Sequence, residues 1–168
     1  AFARLRERRP GARLLLVGQA APRFELGERL VRLGIEDAVQ REGYVPEERL
    51  WSLMAACDGV VGLRSPTMGE TSGAAIRGMS LGKPLVVSDV GWFSELPGDA
   101  VLKVPVDEHE IDTLTAAFEL IASDGAARSA LAASARGFVE SQLAVDRVAE
   151  LYVAALEQAA GGGAVNDA

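Results

Sequence analysis

The sequence predicts an α/β domain: a parallel sheet with helices on both faces. Three observations carry this. Short apolar runs recur along the chain at Leu14–Val17, Gly59–Leu63, Leu85–Val87 and Val101–Val104. Each is too short for a helix, and Leu14–Val17 is apolar at every position, as befits a strand covered on both faces. Stretches of helical period lie between them, and glycine- or proline-containing loops join the two kinds.

Taken in order, Ala1 to about Arg9 reads as a short helix closed by Pro10-Gly11. Leu14–Val17 is a doubly buried strand ending at Gly18. Phe24 to Leu33 is charged and amphipathic, with Gly34 as its C-cap. Ala38 to Val45 is a weaker strand. Pro46 opens a helix that carries Leu50, Leu53 and Met54 on one face. Gly59–Leu63 is the next buried strand, followed by a helix over 71–81 that Gly82-Lys83-Pro84 ends. Leu85–Val87 and Val101–Val104 are the last strands. Three apolar stripes complete the chain: Ile111, Leu114, Phe118, Ile121; then Leu131, Ala135, Phe138, Val139; then Val145, Val148, Ala149, Tyr152, Leu156. Gly161-Gly162-Gly163 reads as a linker or frayed tail. The expected division is therefore a domain over 1–159 and a tail over 160–168.

At 168 residues and 49% hydrophobic, the chain is long enough for one core without disulfides or metals. A net charge of −7 argues against nucleic acid or an anionic membrane as the main partner, though not against a small phosphorylated ligand. Cys57 and His109 are each the sole residue of their type, so no metal site is expected. No secretory signal pattern and no bilayer-length apolar run is present, and a cytoplasmic location is the expectation.

In a parallel sheet of this kind, ligands bind outside the carboxyl ends of the strands. The loops after Val17, Val45, Leu63 and Val87 are the ones that matter. The richest is SPTMGETSGAAIRGMSLGKP, residues 65–84. It follows a strand and feeds a helix, whose first N–H groups are free and carry partial positive charge. A phosphate sits well there. Gly69 and Gly73 permit close approach. Thr71 and Ser72 offer hydroxyls that either cap the helix, Thr71 being the simplest cap, or meet a ligand. Glu70 is an acceptor suited to sugar hydroxyls. The spacing of Glu70 and Arg77 puts them near one helical face, directed at one pocket or, for Arg77, at solvent. The loop is neither a Walker P-loop nor G-x-G-x-x-G.

The segments ARLLLVG, GYVPEERLWSLMAACDGVV and GETSGAAIRGMSLGKPLVVSDVGWFSELP, followed by the final helices, resemble in that order the C-terminal half of retaining GT-B glycosyltransferases. The large family 4 group is the most similar. The resemblance implies a Rossmann-like half of a GT-B fold that binds a nucleotide-sugar donor. It also implies one further strand ahead of residue 1, and an acceptor-binding N-terminal half of the same polypeptide. It implies that the backbone at Tyr44-Val45 meets the base, and that the amides of Thr71, Ser72 and Gly73 meet the diphosphate. The nucleotide sugar is then a substrate, with no cofactor and no catalytic residue assigned in this half.

The family's acidic pair, E-G-F-G-x-x-x-x-E, aligns its two acids with Gly69 and Arg77. Neither is acidic here. Glu70, one position late, is the substitute for the first acid, which contacts the donor sugar. Arg77 offers no acceptor to ribose hydroxyls. Three functions stay open: a donor-binding glycosyltransferase domain, a non-catalytic module degenerate in the acidic motif, and a fragment of a GT-B-like nucleotide-sugar epimerase.

Overall fold

The computed structural model describes residues 1–21 and 24–161. Its strands are β1 (Leu14–Val17), β2 (Val39–Glu42), β3 (Val60–Gly62), β4 (Leu85–Ser88) and β5 (Val101–Val104). They form two parallel sheets, one of β1 and β2 and one ordered β3-β4-β5. In the larger sheet Val60 faces Leu85 and Leu85 faces Val101. The helices are α1 (Phe2–Arg8), α2 (Leu26–Arg32), α3 (Glu47–Ala56), α4 (Gly73–Ser80), α5 (Trp92–Glu95), α6 (Glu110–Ser123), α7 (Gly125–Gln142) and α8 (Val145–Gly161). No described helix is long and apolar enough to cross a membrane.

β4 shows why the α/β reading holds. All four of its residues are buried, and they alternate between two cores. Leu85 and Val87 pack with Ala75 and Met79 of α4, Phe93 of α5 and Ala135 of α7. Val86 packs on the other face with Val104, Ala117 and Ile121. Period-two alternation thus serves two apolar faces rather than one apolar and one wet face. α1 lies beside α6, where Arg8 and Arg9 meet Glu119.

The other strands are less buried than their apolar runs predict. β1 is half-buried and Val17 is exposed. In β3, Val61 is exposed, as is Leu63 just beyond it. Among the described residues, β1 and β3 each have a paired neighbour on one edge only. A run built for two edges and two faces therefore leaves apolar surface open.

Several boundaries shift. β2 stops at Glu42, so Gly43, Tyr44 and Val45 form a loop rather than strand end. Residues 36–38, entering β2, take a short 3-10 turn. α4 starts at Gly73, two residues after the expected start, because Ser72 and not Thr71 caps it. The α6 stripe excludes Ile111, which is exposed. α8 forms with most of its stripe bare: Val145, Tyr152 and Leu156 are exposed and only Val148 is half-buried. The expected tail boundary at 160 falls inside α8, which runs to Gly161; the rest of that tail lies outside the described residues.

Candidate functional site

The loop between β3 and α4 is built by contacts at both ends. At its start, the Arg64 amide donates to Ser88 Oγ at 2.9 Å, tying the loop to the buried carboxyl end of β4. At its end, Ser72 is buried and its Oγ accepts from Ala75 N–H at 3.3 Å. That contact settles one of the two sequence alternatives: the Ser72 hydroxyl is a helix cap. Thr71 stays exposed and does not cap. The first amides of α4, at Gly73 and Ala74, have no acceptor within the helix and belong to exposed residues.

Glu70 folds back on its own loop. Its Oε2 accepts from Met68 N–H at 2.9 Å and from the Thr67 hydroxyl at 3.2 Å. Its Oε1 pairs with Arg64. The backbone amides of Glu70 and Met68 hold its carboxyl below the usual carboxylate range, with Thr67 and Arg64 adding to that. The loop after β4 buttresses this turn. Gly91 has φ +54°, and a Cβ there would lie 2.9 Å from Thr67 Cγ2. Only glycine fits both the backbone and the contact.

α4 sits hard against the sheet. Ala75 and Met79 are buried, and a Cβ at Gly78 would meet the Val60 side chain at 3.3 Å. Arg77 faces the other way, toward α3. Its Nε and Nη2 donate to Glu47 Oε1 at 3.1 and 2.6 Å, and its guanidinium lies 5.9 Å from the Trp51 ring centre. Arg77 holds the Glu47 carboxyl below its usual range, with a smaller contribution from Trp51. A Cβ at Gly73 would come within 2.8 Å of Arg77 Nη1, so this guanidinium covers the first turn of α4.

The structure therefore gathers Gly69, Glu70, Thr71, Ser72 and Gly73 into one turn at the carboxyl end of β3. It does not bring Arg77 to Glu70. The helical-face expectation fails because Glu70 precedes α4 and its carboxylate turns back to Arg64. Tyr44 and Val45 lie in the loop entering α3, Tyr44 83% exposed and Val45 half-buried. Trp92 packs partly buried against the core, its ring 5.5 Å from that of Phe93.

Sequence reading missed two residues. Arg64 carried a signal, a cation directly after an apolar strand run. Glu47 carried almost none, because its partner lies 30 positions away.

The geometry is that of an anion-accepting turn with a nearby cation, flanked by an exposed aromatic loop. The family described as glycosyl transferases group 1 matches residues 1–138. A 2-deoxystreptamine N-acetyl-D-glucosaminyltransferase of Streptomyces fradiae is 28% identical over 158 residues, 92% of this chain and 37% of that protein. The chain thus spans little more than a third of that relative's length. Sucrose-phosphate synthase of Thermosynechococcus elongatus matches with a TM-score of 0.74 at 23% identity, over 96% of this chain and 42% of that one. Anabaena HepE in complex with UDP-glucose matches with a TM-score of 0.76 at 23% identity, over 89% of this chain and 42% of that one. At these identities the structural likeness shows the fold.

Proposed function

The chain belongs to the group 1 glycosyl transferases, and from that premise we propose that it forms the nucleotide-sugar-binding part of a GT-B enzyme, the acceptor being bound by polypeptide beyond these residues. The observation that carries this reading is the turn before α4. The first-turn amides at Gly73 and Ala74 are exposed at one end of this turn, and the Arg64–Glu70 ion pair lies at its other end. A diphosphate fits that chemistry. Its charge grows as the sugar–phosphate bond breaks, so donors fixed in advance stabilise the leaving group most when they are most needed. The UDP-glucose held by Anabaena HepE, which shares this fold, supports the same ligand class.

In this reading Gly69, Thr71, Ser72 and Gly73 present backbone to the donor sugar and diphosphate. Tyr44 and Val45 meet the base. Glu70 holds Arg64 in place through the loop, and contacts the sugar only after giving up one of its partners. A second reading draws on that last point. Glu70 is already bound by Arg64, Thr67 and Met68. A module that binds nucleotide without transferring sugar is consistent with a carboxylate so occupied.

The test is calorimetric titration with UDP-, GDP- and ADP-sugars, alongside Arg64→Ala. Saturable binding to one nucleotide class, weakened about tenfold by the variant, is expected, the effect of losing a charge-assisted hydrogen bond. Absence of binding, both in this chain and in a polypeptide as long as the relatives, would refute the donor reading. Binding by the long polypeptide without turnover on any donor–acceptor pair would favour the second reading.

A further inference from the structure

A nucleotide diphosphate is a linear object, with its ribose between base and phosphates. The proposed function assigns the base to the Tyr44-Val45 loop and the diphosphate to the turn at Thr71–Gly73. The side chains between those two segments are Glu47 and Arg77. Glu47 is two residues past Val45, in the first turn of α3. Arg77 covers Gly73, at the first turn of α4. Their ion pair therefore joins the helix that follows the Tyr44-Val45 loop to the helix that follows the Thr71–Gly73 turn.

The pair has a specific shape. Both guanidinium contacts fall on Glu47 Oε1, which leaves Oε2 outside the ion pair. The Glu47 side chain is 62% exposed and that of Arg77 33%. Arg77 is steadied from behind by the Trp51 ring. The result is a carboxylate fixed in orientation, charged at neutral pH, and open to solvent on one side. Carboxylates accept two hydroxyl donors well, and a vicinal diol presents two. A guanidinium at the same spot presents only donors, so it needs the carboxylate to face a diol at all.

We propose that Glu47, oriented by Arg77, receives the ribose hydroxyls of the donor nucleotide, and so makes this chain select ribonucleotides over deoxyribonucleotides. The assignment rests on the donor-binding reading above. It deepens that reading by supplying an acceptor from α3 at the place where α4 offers a cation. Arg77 is a positioning residue. It fixes Glu47 and does not itself accept from the sugar.

The experiment is a paired titration with UDP and 2′-deoxy-UDP, with the ADP and GDP pairs in parallel, on the wild-type chain, Glu47→Gln and Arg77→Ala. The wild type should prefer the ribonucleotide by roughly tenfold, as a site built for a hydroxyl discriminates against its absence. Glu47→Gln should lose most of that preference while keeping its affinity for the deoxynucleotide. Arg77→Ala should fall between the two. A thermal melt of each variant separates a misfolded protein from a selective loss. If Glu47→Gln keeps the wild-type preference, the pair is only a clip between α3 and α4, and the assignment fails while donor binding stands. If the wild type binds none of these nucleotides, in this chain or in the longer polypeptide, both readings fall together.

Discussion

β1 and β4 have nearly the same sequence character, Leu-Leu-Leu-Val against Leu-Val-Val-Ser, and opposite environments. β4 is paired on both edges and covered on both faces, and every residue in it is buried. Among the described residues, β1 has one paired edge, three half-buried residues and an exposed Val17. An apolar run reports what a strand is suited to, not what it has. Burial is conferred by neighbours, and β1 has fewer of them. The candidate site follows the same divide. Its firm wall, from Ser88 through α4, hangs from β4 and β3, while the Tyr44-Val45 wall hangs from the two-stranded sheet.

Truncating the core on the β4 side should cost the fold most. Phe93→Ala, at a ring 1% exposed, should cost about 3–5 kcal/mol in urea unfolding. Leu15→Ala, at a half-buried residue of β1, should cost about 1–2 kcal/mol, because part of the side chain is already in water. Equal losses at the two sites would mean that the two sheets are held equally, contrary to their burial.

A smaller effect sharpens the role of the site's firm wall. Gly91→Ala places a Cβ at positive φ and against Thr67, and should destabilise by about 1–3 kcal/mol. The same variant should weaken nucleotide binding, since the turn carrying Glu70 must shift. Unchanged affinity after that substitution would show that the β4 loop does not set the turn.

The smallest effect is a dependence on pH. Glu70 and Glu47 are both held below the usual carboxylate value of 4.5, so the folded chain binds their protons less readily than the unfolded chain does. Their contribution is present above that value and is lost as pH falls through the lowered folded value. An NMR titration should show the Met68 amide moving only below pH 4.5. Movement near neutral pH would argue against the Glu70 contact.

The α/β class and the position of the β3–α4 turn were legible because they depend on local signals: apolar run length, glycine and proline punctuation, and hydroxyls at a helix start. The choice between Thr71 and Ser72 as cap was not, since either hydroxyl suits the role and only burial distinguishes them. The sequence extends β2 to Val45 because Tyr44 and Val45 continue a strand-like composition past the point where pairing to β1 stops. Glu47 was invisible as a site residue because its meaning comes from Arg77 across the α3–α4 gap. Helical spacing misplaces Arg77 because Glu70, from which it is counted, is not on α4.

The close seating of α4 divides its positions into two kinds. A Cβ at position 78 would press on the Val60 side chain at 3.3 Å, and Ala75 and Met79 are buried in the core, so changes on this face are felt by the sheet. Position 77 looks outward to α3, where its contacts are an ion pair with Glu47 and the face of Trp51 rather than the sheet. Substitutions that retune ligand choice can therefore accumulate on the outer face of this helix while the inner face keeps the amides at its N-terminus in register. A cation at position 77, matched by an acid across the gap, is the kind of variation such a helix tolerates.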